Sequence, residues 1–168
     1  KGGSNEAGLT QKYWYFAQNG TNAVTILPWG VPNDVPVAED FDGDGKDDVA
    51  VWRPAPAPQA AFYILNSSNF TLSIQQFGQN GDDISVVGDY DGDRKADPAS
   101  FRCPIGSQGQ CTWYYRGSLN NPAGNVTFVR WGFGDTNAES PNAAPGDFDG
   151  DGKFDFNVRM DVGGQGTF

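Results

Sequence analysis

Carboxylates recur in three nine-residue clusters with one spacing: Asp40-Phe-Asp-Gly-Asp-Gly-Lys-Asp-Asp48, Asp89-Tyr-Asp-Gly-Asp-Arg-Lys-Ala-Asp97 and Asp147-Phe-Asp-Gly-Asp-Gly-Lys-Phe-Asp155. Each places acids at positions 1, 3, 5 and 9. The alternation lets the side chains at 1, 3 and 5 converge on one point, and position 7 can add its main-chain carbonyl. An all-oxygen nest of this kind suits a hard cation that takes six to eight oxygens, and calcium fits better than magnesium. The loops are not EF-hands: position 12 is Val51, Ser100 or Val158 rather than a bidentate Glu, and a strand follows where a helix should. Plain solvated turns would also use Asp and Gly. They have no need, however, for four carboxylates whose mutual repulsion destabilises an empty loop. The second loop departs from the others, with Arg94 at position 6 where Gly45 and Gly152 stand. Arginine adds a positive charge and tolerates positive φ poorly, so the second site is expected to be the weakest.

Other chemistries are excluded by composition. The 168 residues hold 11 Lys plus Arg against 21 Asp plus Glu and no histidine, a net charge of −10. Without His there is no Ser-His-Asp or Cys-His catalysis and no His-ligated zinc. The acidic balance repels phosphate backbones, which argues against nucleic acid and against anionic membrane surfaces. No apolar run is long enough to insert in a membrane. Acids away from the loop positions 1, 3, 5 and 9 (Glu6, Asp34, Asp47, Asp82, Asp83, Asp135, Glu139 and Asp161) show no spacing that suggests a catalytic pair. A non-catalytic protein is therefore expected.

Glycine at 23 and proline at 11, with 14% aromatics, describe a turn-rich chain that still has large side chains to bury, so an all-β fold is expected. Each acidic loop leads into an arginine-ended strand: Val49–Arg53, Pro98–Arg102 and Phe156–Arg159. An aromatic strand is next, at Trp14–Phe16, Phe62–Ile64 and Trp113–Tyr115, followed by a polar turn. A third strand, at Ala23–Leu27, Thr71–Gln75 and Val126–Arg130, ends in Trp29-Gly30, Phe77-Gly78 and Trp131-Gly132. The glycines are expected to supply a bend that a side chain would oppose. A fourth apolar element, Val35–Ala38, Ile84–Val87 and, more weakly, Ala143–Pro145, returns to the next loop. Four short strands per fifty-odd residues make one propeller blade of four-stranded antiparallel sheet. The expected organisation is a flexible segment at 1–9 and one repeat domain at 10–168, about three repeats with partial blades at both termini.

The acidic loop, the arginine-bearing strand and the Trp/Phe-Tyr strand together resemble the FG-GAP, or VCBS, repeats of integrin α-subunit propellers and of many secreted bacterial proteins. The resemblance implies a β-propeller in which each repeat spans parts of adjacent blades and calcium sits in loops at the rim. It implies about three calcium ions. The implied ligands are Asp40, Asp42, Asp44, the Lys46 carbonyl and Asp48; Asp89, Asp91, Asp93, the Lys95 carbonyl and Asp97; and Asp147, Asp149, Asp151, the Lys153 carbonyl and Asp155. Glu39 replaces the glycine found before the other two loops, Gly88 and Gly146, as a further ligand or as a surface charge.

Cys103 and Cys111 flank a segment that should fold back as a hairpin, which reads as a disulfide; free thiols in a reduced compartment are the alternative. Sequons begin at Asn19, Asn66, Asn69 and Asn125 and would be glycosylation acceptors in a secretory route. The expected setting is extracellular. Closed propellers use about four to eight blades, so three repeats need completion: by head-to-tail strand addition between copies, giving a homo-oligomeric ring or a filament, or by the remainder of a longer propeller. A calcium-binding structural or adhesive protein follows. Rival readings are a carbohydrate-binding lectin, in which Trp14, Trp29, Trp52, Trp113 or Trp131 stack on sugars, and a piece of a polysaccharide-acting enzyme. Core packing is the plainer role for these tryptophans.

Overall fold

The computed structural model describes residues 10–104, 109–134 and 141–159, together with the main chain of 161–162 and 165–166. The expected flexible segment at 1–9 lies outside these, as do Glu6, Asp135 and Glu139. The described residues form strands, turns and no helix. Strands β1 (Tyr13–Ala17) and β2 (Val24–Pro28) pair antiparallel. Strands β3 (Val35–Glu39), β4 (Asp48–Arg53), β5 (Ala61–Leu65) and β6 (Leu72–Gln76) form a four-stranded meander in that order. Strands β7 (Ala99–Arg102), β8 (Gln110–Tyr115) and β9 (Thr127–Phe133) form a three-stranded sheet. Two short pairs follow, β10 (Asn142–Ala143) with β11 (Val158–Arg159), and β12 (Asp161–Val162) with β13 (Gln165–Gly166). The architecture is all-β and propeller-like, with the full four-stranded blade realised once among the described residues.

The segment Ile84–Val87, expected as the fourth apolar element leading into the second loop, is not a regular strand. It runs antiparallel beside β7, held by bridges Gly88↔Asp97 and Asp83↔Phe101 whose register slips by one residue. In the first blade Val37 pairs with Ala50. The matching carbonyl, on Val86, instead accepts the Tyr90 hydroxyl at 2.6 Å. Phe41, which occupies that place in the first loop, has no hydroxyl to compete with the ladder.

The core lies between successive sheets. One cluster joins Ala50, Trp52, Phe62 and Ile64 of the first blade to Ile84 and Val87 of the next segment; a second joins Phe101 and Trp113 to Phe154 and Phe156. Trp113 packs 4.9 Å from Phe101 and 5.5 Å from Phe156, centroid to centroid. Trp52 and Trp113 are thus core, with Trp14 and Trp29 half-buried. Trp131 departs from the core role: it is exposed on β9, whereas the equivalent Trp29 is half-buried and donates its Nε1 to the Tyr63 carbonyl at 3.1 Å.

A charged clamp recurs between sheets. Arg53 donates through Nε to Asp34 Oδ1 and through Nη2 to Asp34 Oδ2, both at 2.9 Å, and its guanidinium lies 4.3 Å from the Tyr63 ring centroid. Arg102 repeats this on Asp82 at 2.8 and 2.9 Å, 4.7 Å from the centroid of Tyr114. Bidentate pairing fixes each arginine in one geometry. Asp82→Ala, which leaves Arg102 without its carboxylate, is expected to lower the unfolding free energy by about 2 kcal/mol. Urea denaturation would show this, and an unchanged midpoint would mean that the clamp contributes nothing.

Candidate metal centre

Each acidic loop wraps around its own first carboxylate. Asp40 Oδ1 accepts Gly43 N–H at 2.6 Å and Oδ2 accepts Gly45 N–H at 2.8 Å. Asp89 does the same with Gly92 and Arg94 at 2.6 and 2.7 Å, and Asp147 with Gly150 and Gly152 at 2.7 and 3.0 Å. The last carboxylate closes the loop: Asp48, Asp97 and Asp155 each accept the N–H of the second loop residue, Phe41, Tyr90 or Phe148, at 2.9 Å. As a result Asp40, Asp42 and Asp48 present oxygens within 4.8 Å of one another, as do Asp89, Asp91 and Asp97, and Asp147, Asp149 and Asp155.

The carboxylates at position 5 stand apart from these triads. Asp44, Asp93 and Asp151 accept the main-chain N–H of Lys46, Lys95 and Lys153, all at 2.9 Å. Asp44 also pairs with Lys46 Nζ at 3.6 Å. Glu39 ends β3 half-buried and outside the triad, its carboxyl raised above the usual range by burial and then by Asp47. The residue before the loop is decided by packing instead: a Cβ on Gly88 would sit 2.2 Å from the Phe154 ring.

The loops lie next to one another. Ala96 N–H donates to the Asp40 carbonyl at 2.7 Å and Phe154 N–H to the Asp89 carbonyl at 2.6 Å. The aliphatic stems of Lys95 and Lys153 lie over Gly43 and Gly92 of the loops before them. Sequence reasoning missed a second contributor, the turn after each aromatic strand. Ser68 Oγ donates to Asp42 Oδ2 at 2.6 Å and Ser67 N–H to Asp48 Oδ1 at 2.6 Å. Ser118 Oγ donates to Asp93, and Leu119 N–H donates to Asp91 Oδ2 at 2.7 Å. The recurring polar turn was the available signal. No equivalent turn reaches the third loop among the described residues.

The donor set fits a hard cation. Three carboxylates per loop offer oxygen alone, and Asp97, 1% exposed, is pushed up to about 7 by burial and then by the charges of Asp91, Asp93 and Asp89. A dication beside such a group would remove the cost of ionising it. Ser68, and to a lesser degree Lys95, hold Asp42 below the usual carboxylate range.

Residues 40–99, which contain two loops and strands β4, β5 and β6 between them, match the family model described as FG-GAP-like repeat. This stretch is similar to an FG-GAP-like repeat. No curated protein and no solved structure matches the chain. The third loop, outside the matched FG-GAP-like stretch, repeats its hydrogen bonds at Asp147, Asp151 and Asp155. Arg94 has φ of +67°, in the left-handed region where Gly45 and Gly152 sit at +84° and +86°. Arg94→Gly would remove a positive charge near the second triad, and its calcium affinity is expected to rise about threefold to tenfold. Isothermal titration of the variant checks this; weaker binding would refute it.

Cys103 and Cys111 are joined by a disulfide across the β7–β8 hairpin, their Cα atoms 4.2 Å apart. Asn19, Asn69 and Asn125 are exposed; Asn66 is half-buried and donates to Thr71 Oγ1 at 3.1 Å. No helix of the described residues is long and apolar enough to cross a membrane.

Proposed function

We propose that the chain is a calcium-binding, non-catalytic repeat protein with a structural or adhesive role, working outside the cell and associating with further copies of itself. The three carboxylate triads, built by one hydrogen-bond pattern, carry the calcium reading. Calcium would be held by Asp40, Asp42 and Asp48 and their counterparts, with the position-5 carboxylates and the carbonyls of Lys46, Lys95 and Lys153 as further oxygens. Bound there, it supplies charge neutralisation that fixes the loops. The loops in turn fix the spacing of neighbouring sheets through the Ala96–Asp40 and Phe154–Asp89 hydrogen bonds. Isothermal titration of the metal-free protein tests this reading: about three calcium ions per chain support it, and no heat of binding refutes it.

The absence of a catalytic role is supported by where the other acids are committed. Asp34 and Asp82 are locked to arginines, and Asp83 accepts from Ser85. The disulfide favours an oxidising compartment, where the exposed sequons would be open to glycosylation. Self-association is supported by apolar surface on incomplete sheets. The two-stranded β1–β2 sheet exposes Tyr15, Val24 and Ile26, and β9 exposes Phe128, Trp131 and Phe133. Two-stranded sheets are marginal alone, and strand addition would complete them. Light scattering in millimolar calcium is expected to show rings or filaments that chelator disperses; monomers under both conditions would refute assembly. The exposed Trp131 ring favours one second reading, glycan binding, for which an array is the direct assay.

A further inference from the structure

The spaces between successive sheets are built from equivalent residues, and one of them is chemically different. Val51 pairs with Tyr63 and Ser100 pairs with Tyr114, each tyrosine lying beneath the clamp arginine. Val51 and Ser100 therefore occupy the same place. In the first space Val51 packs against Gly30, whose added Cβ would lie 3.1 Å from Val51 Cγ1; in the last, Val158 packs against Gly132 in the same way, at 3.0 Å. In the middle space the residue is Ser100. It is 1% exposed, and its hydroxyl has no hydrogen-bond partner. A buried hydroxyl without a partner costs about 1–3 kcal/mol, so a valine here, as in the other two spaces, would be the more stable choice.

A second replacement falls in the same space. Side chains two residues apart on a strand share a face, so Arg116, two beyond Tyr114, stands where Leu65 stands two beyond Tyr63. Its guanidinium is half-buried, donates to the Gln76 carbonyl at 3.1 Å and Gln75 Oε1 at 3.4 Å, lies 5.6 Å from the Phe77 ring centroid, and makes no salt bridge among the described residues. Burial lowers its pKa, the sign of a cation without a counter-charge. Around these residues is an open pocket of about 390 Å³. Phe77, Pro58 and Val126 supply its apolar wall, and no carboxylate lines it among the described residues. Arg102, which also borders it, is already neutralised by Asp82.

We propose that this pocket binds a small hydroxylated carboxylate, Arg116 taking the carboxylate and Ser100 a ligand hydroxyl. Five N–H donors make a guanidinium suited to that anion, and only two groups are engaged by the protein. A hexuronate, free or as the terminal residue of an acidic polysaccharide, combines this chemistry with a ring face that would rest on the apolar wall. None of the acidic-loop residues lines the pocket.

The test titrates calcium-loaded protein at physiological salt with sodium glucuronate, with a disaccharide ending in glucuronate, and with glucose, read by ligand-observed NMR and calorimetry. The expected result is saturable glucuronate binding, glucose about tenfold or more weaker, and a loss of about tenfold in both Arg116→Gln and Ser100→Val. Ser100→Val restores the residue of the two equivalent spaces, so it should melt no lower than the parent. It therefore separates loss of the site from loss of the fold. Binding of the disaccharide alone assigns the site to a chain end, and binding of both admits the free acid. No binding of either compound, equal binding of glucose, or undiminished binding by folded Ser100→Val overturns the proposal.

Discussion

Removing calcium is expected to lower the melting temperature by roughly 15–30 °C. A site held at about a hundredfold excess over its dissociation constant stabilises the folded state by about 2.7 kcal/mol, so three sites supply about 8 kcal/mol, and each kcal/mol moves a domain of this size by about 2–4 °C. The metal-free protein should also respond to pH with a definite sign. Asp97 titrates near 7 in the folded loop against 3.8 ordinarily. Its folded pKa is raised, so the associated stability is fully present below about pH 4 and is lost as pH rises through about 7. The loss is about 2 kcal/mol once solvent around the loop is allowed for. Calcium should reverse that loss at neutral pH. Scanning calorimetry from pH 4 to 8, with chelator and with millimolar calcium, measures both effects. A melting temperature unmoved by calcium would sink the structural role of the ion, and a flat metal-free profile would sink the role of Asp97.

Trp113→Ala is expected to lower the unfolding free energy by about 3–5 kcal/mol, the range for truncating a large buried aromatic. The indole is 1% exposed and touches both the Phe101 strand and Phe156 beyond the third loop, so its loss opens a cavity between two sheets. Its Nε1 has no hydrogen-bond partner, in contrast to Trp52, whose Nε1 donates to the Phe77 carbonyl at 3.0 Å. Trp113→Phe should therefore cost much less than Trp113→Ala, about 1 kcal/mol, because it removes no hydrogen bond. Chemical denaturation of the pair decides this. Equal destabilisation by both substitutions would point to a polar role for the indole that the packing does not contain.

The all-β class, the three loops, the strand that leaves each loop and the aromatic strand after it were all legible in the residues, because each rests on local chemistry. Asp at alternate positions turns a chain around its own carboxylates, and Val, Ile and aromatic runs between Gly and Asn turns form strands. The disulfide was legible as a pairing across one hairpin. Acidic spacing could also propose which carboxylates meet. It could not show which main-chain donor each carboxylate takes, as Asp44 takes the Lys46 N–H, because that depends on three-dimensional competition for donors.

Long-range contacts were decided only by the tertiary structure. The Tyr90 hydroxyl takes the Val86 carbonyl and prevents a fourth regular strand in the second sheet. The bulk of Phe154 against Gly88 sets how one loop sits on the next. Ser67, Ser68, Ser118 and Leu119 reach carboxylates 19 to 28 residues away. The middle inter-sheet pocket is the clearest case. In sequence, Ser100 and Arg116 are unremarkable members of two strands. Only cross-strand register shows that both replace apolar residues of one space, leaving a half-buried cation with no carboxylate beside it and a buried hydroxyl with no hydrogen-bond partner.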